Sequence, residues 1–265
     1  MKIKHIIPLS IIFFGLTALS FMASDGVTLK LQPKKDKTYT IQTKNVTVNL
    51  MDVQGQVMTA TQTDEKRQSF TVKECNDKEV FVEGKTEAIK IEISQMGMSL
   101  TYDSEHPEKT SSMLAGQVDE FGKMINKPFT VKYDVLGNRL DNAEVEDDEL
   151  EQGSLRAAIV RLPEEPIVKG LTWTTTEHQE VSGTKIDASM TYTVTKVSRK
   201  AIEVSVSGTA SGDDITGTYN GEVSLDPETG LVKKSSIKHN LSLTISQQGL
   251  SIPLTTNGTT TVTVE

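Results

Sequence analysis

The chain has 265 residues, with 28 Lys and Arg against 36 Asp and Glu for a net charge of −8, and a single cysteine. Acids and bases are interspersed, so no basic stripe exists for phosphate, which excludes nucleic acid as a partner. One cysteine excludes an intramolecular disulfide, and folding rests on the core alone.

The first segment reads as a secretory signal. Lys2 and Lys4 form a positive leader, Ile6 to Leu16 an apolar core, and Ala18-Leu19-Ser20 a small-x-small cleavage site. An uncleaved anchor would need ~20 apolar residues, and Pro8 shortens the run. Residues 1–23 are therefore expected to be removed, the mature chain to begin between Phe21 and Asp25, and the protein to reach the periplasm or the extracellular space. Cys75 lies far from that junction, which argues against a lipid-modified cysteine. It reads as a small half-buried residue at a strand end before Asn76-Asp77-Lys78.

The rest is rich in Thr and Val and alternates with period two. Met190, Tyr192 and Val194 hold one phase, as do Ile202, Val204 and Val206, and so does the longer run Ile237, His239, Leu241, Leu243 and Ile245. Such runs predict strands with one wet face. Val53-Gln54-Gly55, Asn76-Asp77, Leu136-Gly137-Asn138, Asp226-Pro227-Glu228-Thr229-Gly230 and Gln247-Gln248-Gly249 supply turns, so neighbours should pair as antiparallel hairpins.

Two stretches have helical spacing instead. Val118, Phe121, Met124 and Ile125 predict a short helix over 116–126. Leu150, Leu155, Ala158, Ile159 and Leu162, with acids leading and Arg156 and Arg161 trailing, predict a connecting helix over 146–162 that stops at Pro163. The expected organisation is an N-terminal β half over 24–145, the connecting helix, and a C-terminal β half over 163–265. The fold class is mostly β: long antiparallel curved sheets, half-barrel or open-barrel-like, with two short helices and a unit that duplication would explain. In each half a proline and basic residues lead to an aromatic that opens a strand, Tyr39 in one and Trp173 in the other. Phe129–Leu140 and Gly221–Val232 are both strand, Asp/Gly turn and return strand. Two accounts fit this likeness: an internal repeat, or similar hairpins built by shared turn chemistry.

A search for chemistry returns little. His106, His178 and His239 are too scattered for a metal motif. In Glu177-His178-Gln179-Glu180, alternation leaves at most His178 and Glu180 on one face. The acids from Glu144 to Glu151 lack the order of a calcium loop and fit a solvated helix start. No phosphate-cradling loop is present, so neither a metal nor a cofactor is expected. Asn45-Val46-Thr47, Asn240-Leu241-Ser242 and Asn257-Gly258-Thr259 fit the glycosylation pattern, which matters only in a eukaryotic source. Low aromatic content and a chain end without an aromatic argue against a transmembrane barrel.

What remains is apolar. Met96, Met98, Met113 and Met124 gather around Gly97 and the first predicted helix, and methionine suits irregular apolar shapes, whether core gaps or ligands. Met96, Met98, Phe121, Met124 and Trp173 are the candidate ligand-binding residues.

The order of signal, strand-rich half, Asn126-Lys127-Pro128-Phe129-Thr130-Val131 before a Gly137 hairpin, acidic helix, and Leu162-Pro163-Glu164-Glu165-Pro166-Ile167-Val168-Lys169-Gly170-Leu171-Thr172-Trp173 resembles an uncharacterised family of exported bacterial β proteins. That family has no activity or site to transfer. The architecture is also similar to the half-barrels of periplasmic lipoprotein carriers. A curved sheet closed off by a helix and lined by Met and aliphatic residues forms apolar pockets, so the expected function is a non-enzymatic binding or carrier protein for an apolar, lipid-like ligand in the cell envelope. A structural or interaction component with an envelope protein as partner is the alternative. An enzyme would need His178 or His106 in a cleft with a carboxylate and a hydroxyl.

Overall fold

A computed structural model describes residues 26–265 apart from 54, 115–120, 141–153, 182–183, 213 and 248–249, with the side chains of 178–181, 184–185, 245–247 and 250 also undescribed. The predicted signal, residues 116–120 of the first predicted helix, residues 146–153 of the second and the acidic run lie outside the described residues.

Among the described residues eleven strands form one antiparallel sheet: β1 Thr38–Val53, β2 Gln56–Cys75, β3 Glu79–Gln95, β4 Met98–Asp103, β5 Pro128–Asp134, β6 Thr172–Val181, β7 Thr184–Val197, β8 Ile202–Gly212, β9 Ile215–Leu225, β10 Val232–Gln247 and β11 Leu250–Val264. Their order is β4-β3-β2-β1-β11-β10-β9-β8-β7-β6, with β5 on β3 beside β4. Since β4 and β6 stand at opposite ends, the sheet stays open, as the half-barrel expectation requires. β-Branched residues favour this extended backbone. The last strand returns to the first, β11 pairing with β1 from Ile41↔Val264 to Met51↔Leu254, which joins the two halves.

Near the straps the two faces differ in character. Registers set Ile41, Phe70, Val82, Val204, Val223 and Val262 on one side, the core face, and Ser, Thr, Lys and Glu largely on the other. The three alternating runs named above fall on the core face as far as their side chains are described, through Leu243 in the third. At the strand ends nearest Thr38 and Val264, the core is covered by residues 27–32 and 154–167. Leu31, 1 % exposed, packs with Tyr39, Ile41, Phe70 and Val72 of the first half. Leu29, 2 % exposed, packs with Ile202, Val204 and Leu225 of the second.

The covering segments are held reciprocally. Leu31 N donates to Val135 O and Gln32 N to Thr229 O, both at 2.8 Å, so this strap lies between the two Asp/Gly hairpins. In each hairpin an aspartate closes the turn. Asp134 Oδ1 accepts from Leu136 and Asn138 N–H, and Asp226 Oδ1 from Glu228 and Thr229 N–H. Leu136, from the first half, packs into the second half's core, and Leu231, from the second, into the first's. Gly137 and Gly230, at φ +82° and +72°, allow the approach; a Cβ would press on Val160 O at one and Lys30 O at the other.

The two halves repeat further devices. Tyr39 stacks on Phe70 and Trp173 on Tyr192, each with centroids 5.1 Å apart. Each aromatic tip also fixes the chain before it: Lys34 N–H donates to Tyr39 Oη, and Trp173 Nε1 donates to Arg161 O. A bulge follows Val72 against β3 and Val194 against β8. Shared turn chemistry alone would not place stacks and bulges at matching positions, so the likeness is a structural repeat.

The described parts of both helices are short. The described part of the first, α1, is helical over 121–124; Ile125 then leaves to bridge Thr86, and Asn126 takes φ +61° before Pro128. The described part of the second, α2, spans 154–158 and ends earlier than predicted. Pro163 disfavours helix in the residue before it, and Leu162 N donates instead to Leu136 O. Among the described residues no helix is long and apolar enough to cross a membrane.

Candidate functional site

Away from the near-end cores the core face divides into three zones. In the second half the apolar phase continues past the end of the core. Tyr219, Leu241, Leu243 and Leu254 are half-buried and belong to none of the packed clusters. Glycines let longer neighbours lie flat. Met190 Sδ covers Gly208, Leu241 covers Gly217, and the His239 ring covers Gly258, where a Cβ would collide. Burial pushes the His239 pKa below its ordinary value, so the ring is neutral at neutral pH. Burial likewise raises that of Tyr219, 6.5 Å away.

Next to this apolar field, across β11, β1 and β2, the same face turns polar. Register places Gly258, Thr47 and Gln62 in line with His239, and Thr256 and Asn49 in line with Leu241. Thr256 Oγ1 donates to Asn49 Oδ1 at 2.8 Å, and Thr260 Oγ1 to Asn45 Oδ1 at 3.1 Å. Asp64 accepts from Gln62 Nε2 at 2.8 Å and from Asn45 Nδ2 at 3.5 Å. The result is a seam of amides and hydroxyls around one carboxylate.

Beyond the seam, β3 and β4 return to apolar character. Ile89, Tyr102 and Leu114 are buried, with Ile91, Leu100, Phe121, Met124 and Ile125 packed against them. Phe121 meets Tyr102 with centroids 4.8 Å apart. Beside this small cluster Met96, Met98 and Met113 are 71 %, 57 % and 70 % exposed.

The opposite face carries a groove of about 380 Å³ floored by Lys44, Glu65, Arg67 and Lys90 and walled by Asp103, Glu105 and His106. Its cations are committed to ion pairs. Arg67 holds Glu105 through two bonds, the shorter 2.7 Å, and Glu87 at 3.4 Å, while Lys44 meets Glu65 and Lys90 meets Glu92 at 2.8 Å. Bonding to Arg67 lowers the Glu105 pKa. Among the described residues no cluster of His, Cys, Asp and Glu could hold a metal.

The predicted site residues therefore separate. Phe121 and Met124 join one cluster with Met98 on the strand beside it, and Met96 sits at φ +51° with Gly97 in the β3–β4 turn. Trp173 packs in the second half's core, near the other end of the strand order. His178 is on β6 with its side chain outside the described set, and Cys75 is half-buried with its thiol pKa pushed up by burial. The seam and the extended apolar field were missed. The alternation Asn45-x-Thr47-x-Asn49 on one strand face was the available signal.

Comparison with known proteins adds two findings. A family model described as a family of unknown function (DUF6263) matches residues 142–232, which run from the segment before α2 to the start of β10. This agrees with the resemblance read from the sequence to a family without assigned activity. No curated protein matches the chain. Among solved structures it is similar to one described as "Lipid-protein interactions in lipovitellin", at 13 % identity and a TM-score of 0.50. The match covers 88 % of this chain and 25 % of that one, so the chain spans about a quarter of its structural neighbour. At that identity the likeness is one of fold.

Proposed function

We propose that this chain is an exported, non-enzymatic binding or carrier protein that holds an apolar, lipid-like ligand on the core face of its sheet. The observation that carries this reading is the apolar field of Tyr219, Leu241, Leu243 and Leu254, which outruns the core while the opposite face stays polar. A sheet that needed only its own core would have no use for that phase beyond the straps, because each exposed apolar position forgoes burial. The lipovitellin likeness supports the reading because that protein's structure is described in terms of lipid–protein interactions. Export rests on the signal in residues 1–23. The methionine edge, with Met96 and Met98 exposed and Phe121 and Met124 behind them, is a second surface of the same chemistry; Trp173 packs in the second half's core.

Uptake of a fluorescent fatty acid by the wild type and by a Leu241→Ser/Leu243→Ser variant tests this. We expect uptake to fall at least tenfold while the unfolding free energy from urea titration changes by no more than about 1 kcal/mol, because neither side chain belongs to a packed cluster. Equal uptake by both proteins, or none by the wild type, would overturn the reading.

A further inference from the structure

We infer that the polar seam on β1, β2 and β11 reads the headgroup of an amphiphile whose chain lies on the adjacent apolar field, and that this headgroup is uncharged and hydroxyl-bearing. The inference rests on the apolar-ligand reading and adds to it the chemistry of the ligand's polar end.

Geometry sets the two zones side by side. From Leu241 on β10 the register passes through Thr256 on β11 to Asn49 on β1, two strand spacings or about 10 Å. In the other direction it passes Gly217 on β9 and Ala210 on β8 to Ala188 on β7, a further three spacings or about 14 Å of apolar or side-chain-free surface. A chain lying across the strands in that direction would stay on apolar ground. Its polar end would then reach Asn49, Gln62 and Asp64.

The groups at that end select an uncharged partner. Asn45, Asn49 and Gln62 each present both a donor and an acceptor, and Thr47, Thr256 and Thr260 are hydroxyls that do the same. Hydroxyl groups on a ligand match such an array because they too donate and accept. Asp64 and Lys66, two positions apart on the same strand and face, carry opposite charges, so neither a carboxylate nor an ammonium finds a field of one sign there to offset the loss of its hydration.

The test compares a monoacylglycerol with the fatty acid of the same chain length, measured by displacement of one fluorescent probe from the wild type, from Asn49→Leu/Gln62→Leu, and from Asn49→Asp. The wild type is expected to prefer the monoacylglycerol at least tenfold. The double leucine variant should lose that preference, and Asn49→Asp, which keeps a polar seam if the leucines disturb folding, should widen it by repelling the fatty acid. A wild type that binds both lipids with equal affinity, or a preference unchanged in both variants, overturns the inference while leaving the apolar field as the binding surface. Failure of the wild type to displace any probe with either lipid overturns the apolar reading itself.

Discussion

The first and second halves are built alike at one end and differently at the other. Near the straps each half has an aromatic stack, a bulge after a buried valine, and an Asp/Gly hairpin placed in its neighbour's core. Toward the far hairpins they part. β10 keeps one apolar phase, while β1 changes phase: Tyr39 and Ile41 face the core, then Thr43, Asn45, Thr47 and Asn49 take that side and Val46, Val48 and Leu50 the other. A fold needs the shared end, and a function can use the divergent one. Three perturbations would break or sharpen this division.

The largest effect should come from the strap. Leu29 and Leu31 are adjacent in phase yet serve different cores, so the double variant Leu29→Ala/Leu31→Ala is expected to cost more than about 5 kcal/mol, given 2–5 kcal/mol for each buried Leu→Ala. Urea unfolding measures the sum. Hydrogen exchange on the single variants separates it, with Leu31→Ala loosening β2 and β3 and Leu29→Ala loosening β8 and β9. Uniform loosening in both variants would show that the two cores act as one.

Next come the stacks. Tyr39→Leu and Trp173→Leu each remove a ring from a stacked pair, worth about 0.5–1.5 kcal/mol beyond area, and each also removes a hydrogen bond to the preceding chain, worth about 1 kcal/mol. We expect the two variants to be destabilised by about 2 kcal/mol each, and by similar amounts, in urea titrations. A loss at Trp173 several times that at Tyr39 would show that the repeat is geometric but not energetic.

The sequence exposed the shared end more fully than the divergent one, for a physical reason. Strand phase and turns are local, and so Met190, Tyr192 and Val194, or Asp226 to Gly230, could be read from a window of a few residues. Both open ends of the sheet and the repeated stacks depend on which strands meet. That Phe70 would face Tyr39, or that β11 would return to β1, is set by long-range register. The candidate site suffered most. Nothing local marks the Met96-Gly97 pair as a turn, and the field and seam lie side by side only because β10, β11 and β1 are neighbours. Trp173 and Phe121 were grouped by residue type, but the strand order sends them to different clusters.

The smallest expected effect is on pH dependence, and it bears on the divergent end alone. His239 lies in the apolar field with its ring over Gly258, and desolvation holds its pKa below the ordinary value near 6.5. The unfolded chain therefore takes up a proton more readily than the folded one. Stability from this residue is present above pH 6.5 and is lost as the pH falls from there through the lower folded value. Carboxylates across the protein also respond to acid, so the wild-type curve alone cannot isolate the histidine. His239→Phe keeps a flat ring over the glycine and removes the titration, and should reduce the stability lost between pH 7 and pH 5. Urea midpoints of both proteins at those two pH values provide the measurement. Tyr39 and Trp173 lie outside this field, so their leucine variants should retain the full wild-type loss. Identical pH dependence in His239→Phe and the wild type would mean that the ring is as well solvated in the folded protein as in the unfolded chain, and the field on that side would then be open to water.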